Sequence, residues 1–310
     1  MGRRRRFRGR ALNGVLLLDK PADRSSNAAM QRARVLFDAV KAGHGGNLDP
    51  LASGMLPILF GESTKFAGGL LDADKQYLTT AALGSRSTTG DLEGEPFDHQ
   101  VVPDDIVERV ATVLPRFIGR IAQTPPMHSA IKQEGVPLYE LARAGVTVPR
   151  PQRQVIIHAL ESLSCDGDSL TLRVRCSKGT YIRTLVEDLG EALGCNAHVR
   201  ALRREWVHPF DTSAMVSLDA IEAARDAGPP ESLDAFLLPI DSALVELPVY
   251  ELGSDADRAV FQHGNLLDID NPPVADGCPF RVYHGGDFLG VALCRNGRLR
   301  PTRLLRRPTA

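Results

Sequence analysis

Apolar and polar positions change rhythm several times along the chain. Residues 13–21, NGVLLLDKP, form an unbroken apolar run closed by a proline turn, which predicts a short buried strand. From Ser25, the stretch SSNAAMQRARVLFDAVKAGH places Ala29, Ala33, Leu36, Phe37 and Val40 on one helical face. Ser25 or Ser26 is the expected N-cap and Gly43 the C-terminal stop. The stretch GHGGNLDPLASGMLP, residues 43–57, is expected to follow directly as a shaped loop. YLTTAALG (77–84) reads as a strand, STTGDLEGEP (87–96) as a turn-rich loop, and residues 103–118 as a helix opening at Pro103-Asp104. Residues 123–145 begin in a proline-rich turn and end in a short helix, and 146–163 read as extended. DSLTLRVRC (168–176) sets Leu170, Leu172, Val174 and Cys176 on one side of a strand. SKGT then turns into a helix with Ile182, Leu185, Val186, Leu189 and Leu193 inward and Gly194 at its end. Residues 211–258 hold eleven acids and two arginines and read as solvated helix and linker. Residues 248–310 are short, Gly/Pro-punctuated and strand-like, as in a small β domain. No internal repeat is visible.

A chain of 310 residues with 43% apolar and 24% charged residues has the makings of one large and one small globular unit. No run approaches the ~18 apolar residues that span a bilayer, so no membrane role is expected. The five cysteines (165, 176, 195, 278 and 294) form no CxxC pair. Neither a disulfide framework nor a metal site is expected, and a reducing cytoplasm fits best. A net charge of −1 conceals two basic ends, because residues 1–20 and 295–310 each carry six net positive charges. The opening MGRRRRFRGR resembles an address label, but ALNGVLLL is too short for a twin-arginine signal and Arg6 stands where myristoylation wants Ser or Thr. Two readings remain open for residues 1–11: a disordered solubilising arm, or an arm that meets nucleic-acid phosphates.

The chemistry concentrates in residues 43–57. Gly43, Gly45, Gly46 and Gly54 surround a single carboxylate, Asp49. Glycine weakens helix and strand alike, so such a cluster signals unusual backbone angles or a close approach by something else. Alone, Asp49 reads as an Asx turn or cap, or as a nucleophile or base in a pocket. His44 alone reads as a surface or capping histidine. In GTYIR, Tyr181 and Arg183 open a helix, where free N–H groups favour anions, or Arg183 simply faces solvent. HExxH, Walker and GxSxG motifs are absent, and GHGGNLD lacks the spacing of a dinucleotide fingerprint.

Taken in order, GHGGNLDPLASGMLPILFGESTKF, DKQYLTTAALGSRSTTGDLEGEP, PPMHSAIKQEGVPLYELARAG, CSKGTYIRTLVEDLG and AHVRALRR closely resemble the TruB family of bacterial tRNA pseudouridine-55 synthases. The likeness begins at NGVLLLDKP, runs to about residue 210, and continues more weakly beyond. It implies an α+β pseudouridine-synthase fold, a mixed, largely antiparallel sheet flanked by helices and loops, with a small C-terminal PUA-like β domain. The expected division is a basic arm over 1–11, a catalytic domain over 12–247 with an RNA-gripping insertion near 123–152, and the β domain over 248–310.

The implied reaction isomerises uridine 55 of the tRNA T-stem-loop to pseudouridine by base flipping, with no cofactor and no metal, on a monomeric cytoplasmic enzyme. By resemblance, Asp49 is the nucleophile. Arg183 is the arginine paired with it, which would hold the carboxylate's pKa down by ~1–3 units. Tyr77 lies against the uracil and is a candidate for proton transfer. Tyr181 and Leu202 line the base pocket, His44 enters the space left by displaced T-loop bases, and Lys20, within DKP, supports the site. Gly45, Asn47, Ser53 and Asp23 depart from the usual family residues. Two alternatives keep the same surface: an RNA-binding or tRNA-folding factor, and a synthase acting on another RNA.

Overall fold

The structure, a computed structural model, describes residues 9–269 and 271–306. The first eight residues of the expected basic arm, and Arg307 of the C-terminal arginine group, lie outside them. Within the expected arm, Arg10 is anchored: it bridges to Ala39, and its guanidinium meets Asp234 and, at 3.1 Å, Glu231.

One nine-stranded sheet organises the larger unit. Its strands are β1 (Gly14–Lys20), β2 (Ala42–His44), β3 (Ser53–Phe60), β4 (Lys75–Leu83), β5 (Gly119–Gln123), β6 (Arg153–Asp166), β7 (Ser169–Cys176), β8 (Ala197–Val207) and β9 (Val216–Ser217). Across the sheet the order is β9-β1-β3-β8-β4-β7-β6-β5, with β2 also paired to β3. All pairings are antiparallel except β1 with β9 and β3 with β8. The sheet is thus mixed and largely antiparallel.

Helices α1 (Ser26–Leu36), α3 (Ile106–Val113), α5 (Ile182–Leu193) and α6 (Leu218–Ala227) share one core with the sheet, while the short α2 (Ala67–Asp72) and α4 (Leu138–Arg143) lie in the connecting segments. Leu16 and Leu18 enter this main core. Their neighbours Val15 and Leu17 enter a second cluster with Met55, Leu59, Leu70 and Phe210. A strand covered on both faces needs a continuous apolar run, which is why VLLL does not alternate. β7 is covered on one face and does alternate, with Leu170, Leu172 and Val174 fully buried.

Three expectations change. The helix that opens at Ser25 stops at Leu36, because Asp38 takes the left-handed φ of 49° usually left to glycine. Residues 42–44 are then free to pair as β2. The expected loop over 43–57 is correspondingly shorter, because its last part is β3. Pro57 disguises that strand, yet its carbonyl accepts from the Gly45 N–H at 2.9 Å. In an antiparallel ladder a residue's N–H and C=O point the same way, so the missing donor faces the gap between β8 and β2 and costs β1 nothing. Residues 211–258 are not a solvated linker throughout. Leu218, Ile221 and Leu233 are buried in the main core, and Leu238 exchanges two backbone hydrogen bonds with Val15.

The smaller unit is a five-stranded sheet, β10 (Val249–Glu251), β11 (Leu267–Asp268), β12 (Pro279–His284), β13 (Asp287–Arg295) and β14 (Arg298–Leu304), with α7 (Asp255–Gln262). Its strand order is β10-β12-β13-β14-β11 around a core of Phe261, Phe280 and Val282. Lys65 donates to the Leu304 carbonyl at 2.6 Å, and Phe66 packs on Phe288, so the two units touch beside α2.

Gly190 lies inside α5, where an added Cβ would come within 2.3 Å of the Ala197 nitrogen at the start of β8. Gly190→Ala is expected to destabilise by about 1–3 kcal/mol through overpacking, read as a lower Tm in differential scanning calorimetry.

Candidate active site

The loop between β2 and β3 is held at almost every residue. Ser25 caps α1, accepting from Ala28 N–H at 3.1 Å, which leaves Ser26 for another task. The Ser26 hydroxyl accepts from the Leu48 N–H at 2.8 Å and donates to the Leu48 carbonyl at 3.0 Å. Lys20, fully buried, donates to the carbonyls of Pro21, Arg24 and Pro50. Burial lowers its pKa to about 8, against the opposing pull of Asp49. Arg204 donates to the carbonyls of Met55, Asn47 and Gly46 at 2.8, 3.1 and 3.4 Å. Asp49 therefore projects from a backbone whose neighbours on both sides are fixed.

Arg183, in the first turn of α5, meets the Asp49 carboxylate at 3.0 Å and the Asp91 carboxylate at 3.6 Å through Nε. Its other nitrogens donate to the carbonyls of Thr89 at 2.8 Å and His128 at 2.7 Å. Gln123 clamps the start of α5 by accepting from the Tyr181 N–H and donating to the Tyr181 carbonyl. The electrostatic outcome differs from the sequence expectation. Burial pushes the Asp49 carboxyl up, Arg183 pulls it down and Asp91 adds to the rise, leaving it above its ordinary value. The pairing is as expected, but the pocket outweighs it, because desolvation penalises the charged form. The side chain still keeps 30% of its surface exposed, enough for a reactant to reach the carboxylate.

A cavity of about 310 Å³ opens beside Asp49 and is lined by Tyr77, Tyr181, Leu202, Arg183 and Arg204. Tyr77, Tyr181 and Leu202 are the three residues expected around a base, brought together from β4, the start of α5 and β8, and Arg183 is the expected partner of Asp49. Burial raises the Tyr77 phenol while the neighbouring Arg204 pulls it down. A raised phenol stays protonated at neutral pH and offers a ring face and an O–H donor. His44 lines a different, adjoining cavity of about 540 Å³, with Asp91, His128 and Arg143. Its Nδ1 is buried without a hydrogen-bond partner among the described residues, and burial together with Arg204 lowers its pKa. Lys20 lines neither cavity, since its ammonium is taken by carbonyls. A larger groove of about 780 Å³ lies around Gln76, Arg173 and Trp206 on the far face of the sheet. There Arg173 is paired with Glu161 and Glu205, and Arg203 with Asp19.

Three buried charged positions around the site had no distinct signal in the sequence. Asp91 is 2% exposed, yet sits in a loop of Thr, Gly, Asp and Glu where nothing marks one acid as buried. Arg204 and Lys75 fall within the motifs AHVRALRR and DKQY without being singled out there, but both are buried. Lys75 donates to the carbonyls of Leu70, Leu71 and Ala73 at the end of α2, and burial lowers its pKa to about 8. The departures at two positions acquire reasons. Asp23 has a φ of 60°, which Asp tolerates better than most residues. Gly45 faces Leu70, and a Cβ there would lie 2.6 Å from Leu70 Cδ1 and 2.8 Å from its Cβ, so no side chain fits.

Three family profiles cover most of the chain. TruB family pseudouridylate synthase (N terminal domain) matches residues 34–182, tRNA pseudouridylate synthase B C-terminal domain matches 183–245, and Pseudouridine synthase II TruB, C-terminal, matches 253–305. A protein of Burkholderia mallei (strain ATCC 23344) named tRNA pseudouridine synthase B is 51% identical, over 97% of each chain. One of the same name from Cupriavidus pinatubonensis is 50% identical, over 96% of this chain and 95% of its own. Among solved structures, a chain of a Cbf5-Nop10-Gar1 complex matches with a TM-score of 0.69 at 26% identity, covering 90% of this chain and 78% of that one. A chain of an H/ACA RNP bound to a substrate RNA containing 2'-deoxyuridine shares the fold, with a TM-score of 0.71 at 23% identity over 95% and 85% of the two chains. Fold and sequence together define a pseudouridylate synthase. The chain belongs to the TruB family of these enzymes.

Two outcomes follow from the site's geometry. A carbon-13 NMR titration should place the Asp49 carboxyl above the ordinary 3.8, so its charge is lost earlier as pH falls. Asp91→Asn should move that midpoint down by removing a like charge, and Arg183→Met should move it further up. Gly45→Thr should lower the Tm, and combining it with Leu70→Ala should cost less than the two single losses together, by about 1 kcal/mol or more of coupling.

Proposed function

We propose that this protein converts uridine 55 in the T-stem-loop of tRNA to pseudouridine, acting alone as a cytoplasmic monomer. The observation that carries this reading is the Asp49 carboxylate, ion-paired to Arg183 and opening on a cavity of about 310 Å³ framed by two tyrosines and a leucine. Cavities of this order suit small planar ligands, and aromatic and aliphatic walls stack an unstacked base. The names of the full-length relatives, both tRNA pseudouridine synthase B, support tRNA as the substrate.

Chemistry on a base requires taking it out of its stack, at a cost of a few kcal/mol. Asp49 attacks the flipped nucleotide covalently, as a group that both adds and leaves. The bond from N1 to C1′ breaks, the uracil turns, and C5 bonds to C1′. C5 then loses its proton and N1 gains one, so atoms and electrons balance within the substrate and its solvent. Tyr77 supplies the face against which the uracil lies, and Tyr181 and Leu202 complete the pocket. His44, neutral in its adjoining cavity, takes the space vacated by neighbouring loop bases.

Nucleotide-resolution pseudouridine mapping of an unmodified tRNA transcript tests this reading. A single new pseudouridine at position 55 is expected, absent with cytidine at that position and absent with Asp49→Asn. Asp49→Asn should keep tRNA affinity within about tenfold, since the carboxylate acts on the chemical step rather than on binding. Tight binding without product from the unaltered protein would favour an RNA-folding role, and product at another site would redirect the substrate.

A further inference from the structure

Arg204 is the largest fully buried side chain among the described residues, at 1% exposure, and it has no carboxylate within ion-pair distance there. A cation in that position would ordinarily be paired. Its guanidinium is satisfied instead by three main-chain carbonyls, Gly46 and Asn47 before the nucleophile and Met55 after it. The two ends of the Asp49 loop are thus tied to one rigid, planar group.

The strand beneath adds a second constraint. β8 pairs with β3 at only two positions, Arg203 with Ser53 and Arg204 with Gly54, and with β4 it sets Arg204 opposite Tyr77. Gly54, with φ of +102°, lies so close that a Cβ would sit 2.2 Å from the Arg204 carbonyl oxygen. One residue therefore touches the nucleophile loop through its side chain, the end of that loop through its backbone, and the tyrosine wall through the ladder. We infer that Arg204 is a positioning residue that sets the distance between the Asp49 carboxylate and the base lying on Tyr77. It does so by geometry, through three directed N–H donors. A lysine at this position keeps the charge but offers its donors from a single nitrogen, without the fixed planar fork that meets the two ends of the loop.

This inference rests on Asp49 being the nucleophile, and the experiment separates the two. Full-length Arg204→Lys and Arg204→Met are compared with Asp49→Asn for single-turnover pseudouridine formation, tRNA dissociation constant and Tm. Both Arg204 variants should lose about a hundredfold in single-turnover rate, the order expected when a reacting group is misplaced by 1 Å. Affinity should stay within about threefold, a split between chemistry and binding that a general loss of structure does not produce. Gly46→Ala keeps Arg204 but forces residue 46 off its φ of +142°, and it should show the same split. A wild-type rate in Arg204→Lys would overturn the inference, because charge alone would then suffice. So would parallel losses of rate, affinity and Tm in the Arg204 variants, or, if those variants do not fold, a wild-type rate in Gly46→Ala. Wild-type activity in Asp49→Asn would instead overturn the assignment of the nucleophile.

Discussion

The ion pair between Arg183 and Asp49 is the contact on which the site depends. Its guanidinium is 5% exposed and engages two carboxylates and the carbonyls of Thr89 and His128. Three stretches of chain distant in sequence, around residues 49, 89–91 and 128, therefore meet at the first turn of α5. Burying such a cation costs several kcal/mol unless its donors are matched, and here they are matched by groups from different loops. The same contact that completes the guanidinium's hydrogen bonds gathers the loops that wall the cavity. Asp49 shares this partner with Asp91, so it receives only part of the guanidinium's stabilisation, and burial leaves its carboxyl above the ordinary range.

Around that pair the protein uses a recurrent device. Lys20, Lys75 and Arg204 are buried cations satisfied by main-chain carbonyls. Each fixes a stretch of backbone: Pro50 next to Asp49, the end of α2, and the two ends of the Asp49 loop. Carbonyl dipoles spread over several residues stabilise an ammonium or guanidinium without supplying a full counter-charge. α2 links this arrangement to the smaller unit. Leu70 fills the space above Gly45, while Lys65 and Phe66, immediately before α2, contact Leu304 and Phe288.

Much of the architecture was legible in local pattern. The run at 15–18, the alternation at 170–176 and the helix closed by Gly194 all appear where expected, because each is enforced by neighbours one or four residues away. Failures came where a single residue took a conformation its type rarely adopts. Asp38 ended α1 in the left-handed region, and Pro57 sat inside a strand at the one point where its missing donor cost nothing. The acidic stretch after residue 211 hid Leu218 and Ile221, whose burial depends on what packs over them.

At the site, the ordered motifs were sufficient to single out Asp49, Tyr77, Tyr181, Arg183 and Leu202, since each belongs to a short stretch with its own residue signature. By itself the sequence nominated, through its resemblance to the TruB family, the groups expected at the site, and its glycine cluster marked the loop around Asp49 as unusual backbone. Only the tertiary structure decided that Asp91 shares Arg183 with Asp49, that His44 and Lys20 stand outside the cavity lined by Tyr77 and Tyr181, and that Arg204 ties the loop. Those facts depend on which carbonyls and carboxylates from remote segments fall within about 3 Å of one nitrogen. Such proximity is set by strand order and register across the sheet, and no local spacing encodes it. The direction of the Asp49 shift has the same origin, because desolvation is a property of the closed cavity rather than of any residue in it.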